Sequence, residues 1–186
     1  MIWKGLKNLS NGSWIKTYTG KKFDYIDIEK NEIDIKDIAH ALSLLNRYTG
    51  HTKKFYCVAQ HSILVSKILE KKDKLAGLLH DASEAYLGDI NTPLKILIPE
   101  YIKIEKSVQD HIYKCFKIEK FDAIKIHKAD KIILATEKRD LIPNIKIEEW
   151  NLSEKPLKDK IRVDKSPVNN EMFFLDEFYK LYKTYR

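Results

Sequence analysis

His80 and Asp81 place an imidazole and a carboxylate side by side at the end of the apolar run 75–79. A carboxylate in such surroundings is costly without a partner, because removing a charge from water takes considerable free energy. A divalent cation would make the same pair a satisfied site. Glu84 follows four residues after His80, so a single helix would present all three side chains on one side.

Two other segments supply ligands of the same chemical types. His61 lies in a segment with helical spacing, and Asp130 lies in the apolar context of residues 126–133. With His80 and Asp81 they give two imidazoles and two carboxylates. Mixed nitrogen and oxygen ligation suits a divalent transition metal with open positions for water and substrate. We therefore expect one such ion as cofactor: Mn, Co, Zn, Fe or Ni.

The elements that must position these groups are mainly helices. Apolar and polar residues alternate in places over residues 14–35, which predicts a short strand or hairpin. Residues 91–93 predict a loop, and residues 157–163 predict an extended segment. Apolar spacings of three and four predict helices from Asp37 toward Gly50, from Val58 to Lys71, from Asp73 to Leu87, onward from Pro99, from Asp122 to Leu141 and onward from Asn169.

Length and composition narrow the class of protein. A chain of 186 residues fits one domain, which we assign to 1–186, and the 44% hydrophobic content with few Gly and Pro excludes collagen-like and disordered classes. No stretch approaches the ~20 apolar residues of a membrane span, and residues 1–5 lack a signal-peptide core. We expect a cytoplasmic protein without a membrane partner. Cys57 and Cys115 stand alone, which predicts buried thiols in a reducing compartment.

The net charge points to anionic ligands in general terms. The 34 basic and 27 acidic residues give +7, which favours contact with nucleotides, nucleic acid or an anionic surface. The lysines are scattered in pairs among acidic residues and form no concentrated stripe. We expect a solvated lysine-rich surface and no stable nucleic-acid partner.

The order His61, His80-Asp81 and Asp130 resembles the HD-domain metal phosphohydrolases. The segments 58–62, 77–95 and 128–130 look like those of small bacterial and phage 5'-deoxynucleotidases, and 17–140 is similar to a phage and prophage branch that includes dNTP phosphohydrolases. The resemblance implies an HD-domain helical bundle. It also implies that His61, His80, Asp81 and Asp130 hold the metal, that Glu84 is the general acid/base activating a metal-bound water, and that Asp89 lies near the sugar and that water.

The same resemblance suggests residues for substrate binding. Arg47 and Tyr48 correspond to an Arg-Trp pair whose aromatic ring crowds the sugar and disfavours a 2'-hydroxyl, and Tyr48 departs from that pattern. Lys95 belongs to a loop, 92–95, beside the phosphate, and His51 would line the pocket. Each also has a structural interpretation: Tyr48 as core packing, His51 as a loop residue at a helix end, and Lys95 as an exposed lysine. His40, His111 and His127 are expected to be structural.

Three functions are consistent with these residues. The leading one is removal of the 5'-phosphate from deoxyribonucleoside monophosphates. The alternative is hydrolysis of a dNTP to the nucleoside and triphosphate, which needs the same metal, water and acid/base. A third is a non-catalytic protein that holds nucleotides or nucleic acid. The presence of Glu84 beside a complete set of metal ligands argues against this third function. Core packing is the simpler explanation of the aromatic-rich last helix, and the resemblance favours a homo-oligomer.

Overall fold

The computed structural model describes residues 12–144 and 152–185. The described chain starts with an antiparallel hairpin. Strand β1 (Trp14–Lys16) pairs with strand β2 (Lys22–Asp24), with Ile15 opposite Phe23. Phe23 is fully buried, and its ring stacks on Tyr86 with the centroids 4.1 Å apart. The expected short hairpin is therefore confirmed. The predicted absence of a signal core concerns residues 1–5, which lie outside the described residues.

Helices make up most of the remaining described chain, which confirms the mainly α class. None of the described helices is both long enough and apolar enough to cross a bilayer. The helices are α1 (Ile35–Leu44), α2 (Val58–Ile68), α3 (Lys74–Leu78), α4 (Glu84–Leu87), α5 (Thr92–Lys95), α6 (Pro99–Cys115), α7 (Ala123–Leu141) and α8 (Pro167–Tyr185).

Local capping explains where the long helices begin. The Asp34 carboxylate accepts the Lys36 amide at the start of α1, and the Asp122 carboxylate accepts the Ile124 and Lys125 amides at the start of α7. Pro99 occupies the first position of α6, where no amide hydrogen is needed. The predicted beginnings of these helices agree with the structure to within two residues.

Helix α2 lies at the centre of the bundle. It packs against α1, α3, α7 and α8, and α1 also packs against α8. Most residues of α2 are buried, including His61 and Ser62. Because α2 packs against four other helices, the polar side chains of His61 and Ser62 are removed from water.

The third predicted helix, 73–87, is interrupted in the structure. Helix α3 ends at Leu78, residues 79–83 form consecutive turns, and α4 begins at Glu84. Gln109 of α6 stabilises this break: its Nε2 donates to the Leu79 carbonyl at 2.8 Å, and its Oε1 accepts the Ser83 amide at 3.1 Å. The spacing predicts one continuous helix for His80, Asp81 and Glu84, and this prediction was wrong.

Two smaller expectations were wrong, the loop at 91–93 and the burial of Cys115. The predicted loop includes the start of α5. Residues 157–163 contain neither helix nor strand. Cys57 is buried as expected, whereas Cys115 is exposed, and the two thiols are unpaired. Cys115 lies at the last position of α6, where the helix surface faces solvent.

Candidate metal centre

Three side chains from separate segments converge on one point. His61 comes from α2, His80 from the turns at 79–83 and Asp130 from α7, and one ligand atom of each lies within 4.8 Å of the others. His61 Nε2 lies 3.3 Å from His80 Nε2 and 3.2 Å from Asp130 Oδ1. Two imidazole nitrogens and a carboxylate oxygen at this spacing form a candidate site for one divalent ion.

Asp81 adds a second carboxylate to this group. Its Oδ2 lies 3.2 Å from His80 Nε2 and 3.5 Å from His61 Nε2. Arg47 approaches the same oxygen, with Nη1 at 3.6 Å. The structure therefore brings together all four residues that the sequence predicted as metal ligands.

Both imidazole rings are oriented by the nitrogen that faces away from the cluster. His80 Nδ1 lies 2.8 Å from the Gly77 carbonyl oxygen, and His61 Nδ1 lies 2.7 Å from a carboxylate oxygen of Glu137. Both partners are acceptors, so each Nδ1 carries a proton, and each ring in its neutral form directs the Nε2 lone pair at the cluster. These donors fit a divalent ion.

Glu137 was not singled out from the sequence, although it belongs to the site. It lies on α7 seven residues after Asp130, which places both on one side of that helix. The carboxylate is completely buried and contacts Arg47, Tyr48, Tyr56 and His61. The sequence did contain a signal for Glu137: it lies two helical turns after a candidate ligand, within the apolar pattern of a buried helix face.

The charges of the cluster shift its pKa values strongly. Burial opposes ionisation of Asp81 and Asp130, but the neighbouring histidines outweigh it and lower the pKa of both carboxyls. Burial and Arg47 lower the pKa of His61, whereas Glu137 and Asp130 raise it, and the resulting pKa is about 9. Without metal, His61 therefore favours its protonated form, and a divalent cation bound at Nε2 would displace that proton.

A turn over Arg47–Gly50 supplies side chains next to the cluster. Tyr48 and Thr49 both adopt left-handed backbone conformations, with φ of 56° and 53°, which is unusual for residues other than glycine. The Thr49 hydroxyl accepts a hydrogen bond from Asn91 at 2.7 Å, which ties this turn to the start of α5. Such backbone strain often accompanies functional sites.

A cleft of about 770 Å³ opens beside the cluster. Its volume lies within the range of roughly 300–1,000 Å³ that small-molecule sites occupy. All four predicted substrate-binding residues line it, as do the two predicted catalytic ones: Arg47, Tyr48, His51, Lys95, Glu84 and Asp89. Asp81 and Asp130 also reach its wall, so the candidate metal site and the cleft are continuous.

Glu84 is a buried carboxylate at the start of α4. Lys95 Nζ lies 3.8 Å from its Oε1, and its Oε2 has no hydrogen-bond partner among the described residues. Burial, followed by the charges of Asp81 and Asp89, raises the pKa of Glu84 well above its ordinary value. Lys95 itself is held by Glu105 at 2.5 Å. The lysine is therefore fixed at the cleft wall. This differs from the structural interpretation of Lys95 as a simply exposed lysine.

The three histidines expected to be structural lie outside this cluster. His40 stacks on Tyr18, and its Nδ1 lies 3.0 Å from Glu171 of α8. His111 Nε2 lies 2.9 Å from the Asn31 carbonyl. His127 is exposed on α7.

Comparison with known proteins places the chain in a family. Over 129 residues it is 43% identical to the uncharacterized protein YfdR of Escherichia coli K12, an alignment that covers 69% of this chain and 72% of YfdR. The chain belongs to the YfdR family. It is also 36% identical over 103 residues to the uncharacterized protein RCAP_rcc00048 of Rhodobacter capsulatus, covering half of this chain and 53% of that relative. No family model matches the chain.

Proposed function

We propose that this member of the YfdR family is an HD-domain metal-dependent phosphohydrolase that removes the 5'-phosphate from deoxyribonucleoside monophosphates. The observation that supports this most strongly is the convergence of His61, His80, Asp81 and Asp130 at the wall of a cleft. The substrate class comes from the resemblance of the segments around these residues to small 5'-deoxynucleotidases.

The charge balance of the cleft supports a role for a cation. Four carboxylates line it, from Asp81, Glu84, Asp89 and Asp130, against the permanent positive charges of Arg47 and Lys95. A phosphate dianion would meet net repulsion from this set. A bound divalent ion offsets two of the negative charges and makes the cleft suitable for an anion.

Each group near the cluster has a role in hydrolysis. When bound, a divalent ion lowers the pKa of a coordinated water and polarises a phosphoryl oxygen. Glu84, with one unpartnered oxygen and a raised pKa, is suited to accept and return a proton. Asp89 lies on the same wall and would orient the attacking water and the sugar.

Arg47 and Lys95 would bind the substrate phosphate. Arg47 is almost fully buried and is fixed by Asp81 and Glu137, so its guanidinium is already ordered before substrate arrives. Lys95 provides a second positive charge, which Glu105 holds in place. The Tyr48 ring lies beside Arg47, with the guanidinium carbon 5.4 Å from the ring centroid, and would contact the sugar.

The size of the cleft favours hydrolysis of dNTPs as a second candidate, because about 770 Å³ leaves room for further phosphates. The lining charges favour the monophosphate. Lys53 and Lys54, which follow the turn over Arg47–Gly50, do not line the cleft. Arg47 and Lys95 are its only lysine or arginine side chains within the described residues.

A product assay tests the proposal. Metal-loaded protein is incubated with dNMPs, NMPs and dNTPs, and inorganic phosphate and triphosphate are resolved. We expect inorganic phosphate from dNMPs, and a loss of about 100-fold or more in Glu84→Gln, the range for removing a general acid/base, with metal content retained. The exposed Glu119→Gln is the matched control. Triphosphate from dNTPs would support the second candidate, and no product from a metal-loaded protein would contradict both.

A further inference from the structure

Glu137 is a completely buried carboxylate that accepts hydrogen bonds from four side chains. Its Oε1 lies 2.7 Å from His61 Nδ1 and 2.8 Å from the Tyr56 hydroxyl. Its Oε2 lies 3.3 Å from Arg47 Nη2 and also accepts the Tyr48 hydroxyl. Every partner is a donor, so the ionised carboxylate is fully satisfied.

The two oxygens of Glu137 contact different parts of the site. Oε1 contacts His61, a candidate metal ligand, and Oε2 contacts Arg47 and Tyr48, which line the cleft. Glu137 itself does not line the cleft. It is therefore placed to act through its neighbours rather than on a substrate.

The contact with His61 fixes which nitrogen of that ring is available to a metal. With the proton on Nδ1 directed at Glu137, Nε2 faces Asp130 and His80 at 3.2 Å and 3.3 Å. A carboxylate partner also makes the ring a more basic ligand than a neutral acceptor would. Loss of the charge would weaken both effects.

The contact between Glu137 and Arg47 limits how strongly Arg47 competes with a metal for Asp81, a second candidate ligand. The guanidinium lies between Glu137 and Asp81, with its nitrogens 3.3 Å and 3.6 Å from the two carboxylates. Without the charge of Glu137, Asp81 would be the remaining carboxylate within ion-pair distance of Arg47 among the described residues, and a closer pair would compete with metal for that oxygen. Both contacts therefore act on metal affinity in the same direction.

We propose that Glu137 is a positioning residue for the metal centre: it orients His61 through Oε1 and holds Arg47 away from Asp81 through Oε2. This inference rests on the metal site of the proposed function, and it assigns a role to a residue outside the cleft. The chain also provides a matched control. Glu171 forms the same kind of carboxylate–histidine pair with His40, at 3.0 Å, and neither residue belongs to the cluster.

Titration of the metal-free full chain with Co²⁺ tests this proposal. Affinity and the visible absorption bands of the bound ion are measured for the wild type, Glu137→Gln and Glu171→Gln, with circular dichroism to verify the fold. We expect about 10- to 100-fold weaker Co²⁺ binding in Glu137→Gln, as for other partners of metal ligands, with shifted bands. Glu171→Gln should match the wild type in both measurements.

A second variant keeps the test decisive if Glu137→Gln does not fold. Glu137→Asp retains the charge but withdraws the carboxylate by one methylene from His61, and we expect weaker Co²⁺ binding and shifted bands here too. Wild-type affinity and bands in a folded Glu137 variant would overturn the inference alone. Failure of the wild-type chain to bind Co²⁺ would overturn the metal centre of the proposed function and this inference with it.

Discussion

Two buried glutamates beside the cleft have pKa values shifted in opposite directions. Burial raises the pKa of both carboxyls, but Arg47 and His61 outweigh it at Glu137 and lower that pKa to about 2. At Glu84 the nearby charges of Asp81 and Asp89 add to the effect of burial. Such a separation between two pKa values is typical of sites where one carboxylate stays charged and another exchanges protons.

The raised pKa of Glu84 predicts that Glu84→Gln stabilises the metal-free protein. The folded state favours the protonated carboxyl, so its contribution to stability is present below 4.5, the ordinary pKa, and is lost as pH rises toward the higher folded value. Near neutral pH the isosteric amide avoids this loss. We expect a gain of about 1 kcal/mol, a usual size for stabilising substitutions, in thermal unfolding with chelator.

The pH dependence provides the control for this prediction. The stability difference between Glu84→Gln and the wild type should grow from pH 5 to pH 8, whereas Glu119→Gln, at an exposed position, should follow the wild type. A Glu84→Gln protein less stable than the wild type at every pH would show that the carboxylate is not destabilising.

Among the helices and turns, the break between α3 and α4 is the feature that places His80 and Asp81. The turns at 79–83 leave backbone groups without helical partners, and Gln109 of α6 satisfies two of them. The position of the histidine and aspartate therefore depends on a side chain from a helix that contributes no ligand.

Substitution Gln109→Ala should loosen this turn. The Ser83 amide would lose its partner, and the Leu79 carbonyl would keep only the Ala82 amide at 3.1 Å. We expect this to cost about 1–3 kcal/mol of unfolding free energy. Divalent metal affinity should fall as well, because His80 and Asp81 become less ordered. Chemical denaturation and metal titration measure the two effects. Lys103→Ala, exposed on the same helix, should change neither; an unaffected Gln109→Ala would contradict the proposed support.

The sequence predicts helices better than it predicts their interruptions. Asp122 and Pro99 are local start signals, and the helices they begin match the prediction. The break after Leu78 depends on Gln109, about thirty residues later, and periodicity contains no information on that contact. Glu137 could not be predicted for the same reason, because its partners come from three other segments. The candidate ligands were predictable from their residue types and spacing.

In the whole molecule, the site depends on the packed bundle around α2. Cys57 immediately precedes this helix and is completely buried, and burial raises the pKa of its thiol to about 11. Cys115 is exposed at the end of α6. The two thiols therefore report separately on the core and on the surface.

Thiol labelling of the native protein should distinguish them. At about pH 8 we expect Cys115 to react first, because Cys57 is both shielded and held as the neutral thiol. Metal should slow labelling of Cys57 further, since binding to the folded state alone reduces opening of the core. Mass spectrometry of the labelled peptides measures both rates. Equal rates for the two thiols would contradict the described packing.

The most direct test of the proposed metal-dependent activity is a titration of chelator-treated protein with Mn²⁺ while phosphate release from dNMPs is measured. We predict no release without metal, and a rise that reaches its plateau at one bound ion per chain. Replacement of Asp130 by Asn should lower the plateau, whereas His127→Ala, three residues away and exposed on the same helix, should leave it unchanged. Phosphate release that persists in full after chelation, or Mn²⁺ that binds without any release, would contradict the account.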